Sequence, residues 1–150
     1  MSGRAGPGRL WTCARCGRRF ANRNQSHTCA APTTVEHHLA GKPPHVRAIV
    51  ERLIEVTGEN GPFDVIPEKT RIAFFMRMSF AALMVRRRWV DAHVVLARRL
   101  EHPRFTKVIT YGPRNHEHDF RVHCVDEVDH EVAAWLAEAY AVGEQRNLAR

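Results

Sequence analysis

Three cysteines and a histidine crowd residues 13–29 in the spacing Cys13-x2-Cys16, ten residues, His27-x-Cys29. A Cys-x-x-Cys-Gly turn suits zinc, because the paired thiolates share one tight knuckle and Gly17 accepts the unusual backbone angle there. His27 and Cys29 stand two apart, a spacing that points both side chains the same way on extended chain and makes them diverge on a helix. The second pair is therefore expected to be extended or turn-like. Three thiolates and one neutral imidazole complete a tetrahedron and leave no position for a catalytic water, so the expected role is structural zinc. A Cys13–Cys16 redox pair and no metal at all are the alternatives, but a redox pair would not need His27 and Cys29 close behind. Trp11 and Phe20 supply a small core for a unit too short to fold without its ion.

Arg15, Arg18, Arg19 and Arg23 surround this clip, and no acid occurs in residues 1–35. Such a module is expected to contact polyanions, with Asn22, Asn24 and Gln25 available for base edges or sugars. It offers no evident recognition helix, so base-specific readout is not expected. The alternative is a solvated arginine surface that packs on a protein partner.

Further along, Lys69, Arg71, Arg88 and Arg104 are candidate anion-binding residues in a strand-rich block. Trp89, His93 and His102 could line a pocket on the sheet face, a platform suited to phosphates or stacked bases. The runs "RRR" and "RR" also read as solvated strand ends that discourage edge pairing. In "HEHD", His116 and His118 share one strand face and could hold a second metal, although turn-proximal histidines are usually just exposed. Cys124 alternates with Phe120 and Val122 and is expected to be a core thiol. In "PEKT", Glu68 and Lys69 are adjacent and so face opposite ways on a strand, which defeats a nuclease-type match. No nucleophile elbow or glycine-rich phosphate loop occurs, and an enzyme is not the expectation.

These residues need elements to place them. A basic leader (1–10) is followed by the zinc module (11–30), the linker "AAPTT" and a domain over 34–150. Thr34 is placed to cap the short helix "VEHHLA", and Pro43–Pro44 to start a longer one whose Val46, Ile49, Val50, Leu53 and Ile54 recur at helical spacing. Gly58 and Gly61 end it. "FDVI", "TRIAFFMR", "SFAALMV" and "RWVDAHVVLA" read as strands joined by gaps too short for crossover helices, hence antiparallel neighbours. "FTKVIT" and "HDFRVHCV" add two more around the turn "YGPRN". Asp126 is expected to cap a last helix with the stripe Val128, Val132, Trp135, Leu136, Ala139 and Tyr140. The expected fold is α+β: an antiparallel sheet of about five to six strands with helices on one face.

Composition bounds the rest. In 150 residues, 44% hydrophobic and 26% charged, there is room for one domain and a small appendage. The net charge of +7 alternates by block: +6 over 1–35, −3 over 36–68, +8 over 69–107 and −4 over 108–150. The acidic blocks coincide with helices and the +8 block with the sheet. Neither a membrane span nor a signal peptide is evident, so a cytoplasmic protein is expected, where clustered cysteines hold metal rather than form disulfides.

The ordered series "WTCARCGRRFANRNQSHTC", "VEHHLAGKPPHVRAIVERLIE", "KTRIAF", "RRRWVDAHVVLARRLEHPR" and "EVAAWLAEAYAVGEQR" resembles an uncharacterised bacterial, largely actinobacterial family. That family joins a small Cys-x-x-Cys / His-x-Cys module to a domain of unknown function. The resemblance implies that Cys13, Cys16, His27 and Cys29 act as one unit, and it marks Lys69, Thr70, Arg88, Trp89 and His102–Arg104 as family-type positions. Related domains found beside restriction-type nucleases favour a nucleic-acid setting. The expected function is a zinc-stabilised protein that contacts nucleic acid through its basic module and a basic sheet face. A small anionic ligand or substrate on the sheet face is the alternative, and an adaptor for a protein partner is the third.

Overall fold

A computed structural model describes residues 10–27, 29 and 33–145. Residues 1–9 of the leader and 30–32 of the linker lie outside them. The chain divides into two compact units, Met1–Pro32 and Thr33–Arg150.

In the first unit, β1 (Trp11–Thr12) pairs antiparallel with β2 (Arg19–Phe20), Trp11 opposite Phe20. Gly17, at φ 74, takes the left-handed conformation that turns the chain between them. The Gly17 amide donates to the Cys13 carbonyl and the Cys13 amide to that of Arg18, both at 2.8 Å, so the knuckle is backbone-locked.

The second unit opens with α1 (Val35–Leu39), where the Thr34 hydroxyl accepts from the His37 amide at 3.0 Å as the sequence predicts. Helix α2 (Pro44–Gly58) starts on Pro44, whose fixed φ and missing N–H suit a first helical position. It buries Val46, Ile49, Val50 and Leu53 completely. Six strands follow: β3 (Asp64–Pro67), β4 (Ile72–Phe75), β5 (Ser79–Val85), β6 (Val90–Leu96), β7 (Phe105–Gly112) and β8 (Asn115–Val122). Helix α3 (His130–Gly143) closes the fold.

All strand pairs are antiparallel, in the order β3-β4-β5-β6-β8-β7. The consecutive pairing expected from the short gaps holds through β6 and then breaks, because β8 inserts between β6 and β7. Residues 97–104 carry the chain across that gap, and the Leu100 amide donates to His118 Nε2 at 2.9 Å on the way. Helices α2 and α3 pack on the sheet face formed by Ile72, Phe74, Leu83, Ala92, Val94, Phe120 and Val122. Each fully buried aliphatic or aromatic side chain there contributes about 1.5–3 kcal/mol of transfer free energy. This is the α+β architecture expected, with helices on one face. No helix among the described residues is long and apolar enough to cross a membrane.

Three local expectations are corrected. The N-cap of α3 is Asp129, whose carboxylate accepts from the Val132 amide at 3.0 Å; Asp126 lies one turn earlier in a 3-10 segment, Val125–Glu127. Cys124 is exposed rather than core, because β8 ends at Val122 and the alternation that would have buried it stops there. The imidazoles of His116 and His118 are buried and engaged in structural hydrogen bonds rather than presented to a metal. His118 Nδ1–H donates to the His116 carbonyl at 2.9 Å while its Nε2 holds Leu100. His116 bridges the Thr110 hydroxyl at 2.9 Å and the Pro113 carbonyl at 3.1 Å.

Candidate metal centre and the helix-free sheet face

Cys13, Cys16, His27 and Cys29 converge, each offering one donor atom within 4.8 Å of the others. Cys13 Sγ stands 3.7 Å from Cys29 Sγ, while His27 Nε2 is 3.3 Å from Cys16 Sγ and 3.2 Å from Cys29 Sγ. His27 Nδ1 lies 2.6 Å from the Gln25 carbonyl. That contact fixes Nδ1 as the protonated nitrogen and leaves the Nε2 lone pair aimed at the sulfurs, the usual arrangement of a metal-bound imidazole. Phe20 packs on the imidazole at 4.3 Å between ring centroids, and Trp11 meets it edge-on.

The electrostatics favour anionic sulfur at one end of the cluster. Backbone amides, that of Cys16 foremost, hold the Cys13 thiol down to about 6 against the cost of its burial. Desolvation first, and the neighbouring thiols second, push Cys29 up to about 11. A cation among the four would remove that conflict, since bound thiols are deprotonated outright. The group could hold one metal ion in a closed, four-ligand site.

Around it, Arg15, Arg19 and Arg23 are exposed, and the Arg18 guanidinium lies over the Phe20 ring at 5.0 Å. Among the described residues Arg15 and Arg23 make no ion pair.

The candidates in the second unit separate into three places. The register brings the β3–β4 turn, the β5–β6 turn and the end of β8 to one end of the sheet. Lys69, Arg71 and Arg88 lie on those turns with Arg86 and Arg87, beside the end of α1 and the start of α2. His38 Nε2 lies 2.7 Å from the Glu68 carbonyl and His45 Nε2 2.8 Å from that of Arg88, which pins both turns. Arg71 pairs with Glu68 at 2.9 Å and Arg86 with Asp91 at 2.9 Å, whereas Lys69, Arg87 and Arg88 are exposed without an ion pair among the described residues.

Arg104 and His102 go elsewhere. Arg104 donates to Asp129 at 3.1 Å and to the Glu127 carbonyl at 2.8 Å, and stacks on Trp135; it clamps the start of α3. His102 sits 3.0 Å from Glu131 and edge-on to Trp135, on the helix side of the sheet. It therefore does not line a pocket with His93, which points to the opposite face.

On that helix-free face the strand register sets His93 opposite Asp119, with Glu117 two residues along. The three offer a nitrogen and two carboxylates within 4.8 Å of one another. Burial, with Arg71 nearby, holds the His93 imidazole down to about 4 and hence neutral. Burial also pushes Asp119 up to about 6, helped by the Glu117 carboxyl beside it. Farther along the face, Arg121 stacks on Trp89 at 4.5 Å and pairs with Asp91 at 2.8 Å. Glu117 and Asp119 escape a reading of "HEHD" that follows its histidines. The signal was present in the parity of Phe120 and Val122: even positions turn inward, so the acids at 117 and 119 turn outward.

Residues 35–143 match the family model described as Domain of unknown function (DUF5655). The chain belongs to the DUF5655 family. The DUF5655 match spans α1 through α3, so it contains the His93 cluster and the basic end of the sheet, and the Cys/His module falls outside it. No curated protein and no solved structure matches the chain.

Proposed function

We propose that the protein is a zinc-stabilised binding protein whose basic module contacts nucleic acid through the phosphate backbone. Zinc is favoured by the donor set and by its dimensions. Sulfur ligands at about 2.3 Å and nitrogen at about 2.0–2.1 Å give tetrahedral S–S edges of about 3.8 Å and S–N edges of about 3.5 Å. The separations of 3.7, 3.3 and 3.2 Å lie within a few tenths of these. The ion's role is structural: it crosslinks a unit whose strands are two residues long.

The observation that carries the nucleic-acid reading is the placement of Arg15, Arg19 and Arg23 on the exposed surface around the clip, in a stretch with no acid. Three bound thiolates on Zn2+ leave that surface strongly positive. The exposed Lys69, Arg87 and Arg88 at one end of the sheet give the second unit a positive patch of its own. Binding of this kind releases counterions, so affinity for generic duplex or single strands falls steeply between about 50 and 200 mM salt. Fluorescence anisotropy across that range is the test. The triple variant R15A/R19A/R23A should bind more weakly and flatten the salt slope by roughly one per lost phosphate contact. Absence of binding at low salt overturns the reading.

A second reading, a small anionic ligand on the helix-free sheet face, is supported by Arg71 within electrostatic reach of buried His93.

A further inference from the structure

We propose that His93, Glu117 and Asp119 form a metal site of their own on the sheet, taking a divalent first-row transition ion such as Mn2+ or Fe2+. It rests on different residues from the nucleic-acid reading and does not depend on it.

Two independent observations single out this trio from ordinary surface acids. The first is the histidine. Its side chain is only 9% exposed, yet its nearest charged partner, Glu117 Oε1, stands 3.9 Å away, beyond hydrogen-bond reach. No hydrogen bond to the ring occurs among the described residues. The second is Asp119 Oδ1, a buried oxygen with no hydrogen-bond partner. Buried polar atoms nearly always find partners, and an unmet buried acceptor beside an imidazole that makes no hydrogen bond to the protein is what a site built for a cation presents.

The chemistry of the donors selects the ion. One neutral imidazole with two carboxylates is borderline to hard, which suits Mn2+, Fe2+ or Zn2+ over a soft ion and does not suit an all-oxygen Ca2+ cage. All three side chains stand on paired central strands, so the donors are held by a rigid ladder rather than a loop. The charges facing the trio are Arg71, tied to Glu68, and Lys107, whose backbone lies opposite Asp119 in the β7–β8 ladder. Both moderate cation affinity and favour an anion among the remaining ligands.

The test uses the full chain carrying one equivalent of zinc, which the thiolate clip takes in preference and which leaves the trio open to Mn2+. Mn2+ is added and the loss of the free-ion electron paramagnetic resonance signal is followed. The expected result is one saturable Mn2+ per chain, weakened by about ten-fold or more in D119N and in H93Q. E127Q, a change of an acid outside the trio, should bind like the wild type. Because H93Q removes a buried side chain, the wild-type protein provides a readout that needs no variant: imidazole-nitrogen coupling to the bound Mn2+ in pulsed spectra. Failure to saturate overturns the proposal. So does Mn2+ that shows no nitrogen coupling and binds D119N and H93Q as it binds the wild type.

Discussion

Among the described residues of 10–29 the buried hydrophobic side chains are Cys13, Phe20 and Ala21, whereas from Leu39 to Tyr140 a continuous core joins all three helices to the sheet. Among its described residues the first unit has strands of two residues and a backbone-locked turn at Gly17, and they bury too little apolar surface to offset chain entropy. On the proposed reading, an ion held by its four donor atoms substitutes for a core. The second unit gets its stability from apolar burial and uses its polar residues at the margins. The contrast teaches where each half is vulnerable: one to chemistry that removes an ion, the other to changes in side-chain volume.

The largest expected effect follows from removing the ion proposed for the clip. Structural zinc supplies on the order of 10 kcal/mol or more of apparent folding free energy to such modules. Chelation, or C13S, should therefore abolish amide protection in residues 11–29 while leaving that of residues 35–143 intact, read residue by residue by hydrogen exchange. Collapse of the sheet's protection on chelation would break the comparison.

Next in size is the converse change. Leu53 is completely buried in the helix–sheet core, and L53A should cost about 2–5 kcal/mol in denaturant unfolding of the domain. Metal stoichiometry at the clip should not change. A smaller effect of the same kind is expected at Gly143, where an added Cβ would overlap the Phe80 ring. G143A should lose about 1–3 kcal/mol through overpacking, despite the helix-favouring gain from alanine.

Asp129 offers a finer test, with a pH signature. Its carboxyl is pushed up by partial burial, but the Val132 amide and Arg104 outweigh this and hold it below its ordinary value. The stability it contributes is thus full above the unfolded value of about 4 and is lost as pH falls through the folded value. D129A should cost about 1 kcal/mol at neutral pH and nothing once the wild-type carboxyl is protonated, as a series of thermal melts would record. At the bottom of the scale, C124S should shift stability by less than about 0.5 kcal/mol, since the thiol is exposed. In the wild type Cys124 should react with a thiol reagent even with the clip loaded.

Much of this was legible in the chain. The ligand quartet follows from spacing alone. The helix starts at Thr34 and Pro44 follow from side-chain capping and a fixed φ. Strand β5 has the limits expected for "SFAALMV", and His93 lies on the open sheet face expected for it. What failed did so for identifiable reasons. The insertion of β8 between β6 and β7 is a choice among antiparallel partners that no local pattern records. The fate of "HEHD" hung on one residue of phase, because both alternations carry polar side chains and only the neighbouring Phe120 and Val122 decide which goes inside. Cys124 followed the same parity correctly, but the strand ended two residues too soon for it. For Arg104 and His102 the outcome depended on α3, whose Asp129, Glu131 and Trp135 captured both.

The interposed strand also sets an order of assembly. Strands β3 to β6 can zip as a local meander, and β7 with β8 as a separate hairpin, but His93 meets Asp119 only when the hairpin docks by its inner strand. That seam closes the longest sequence gap within the sheet, so it is the natural late event in folding. Anything gripping residues from both sides of it acts as a clasp that shifts the equilibrium toward the docked hairpin.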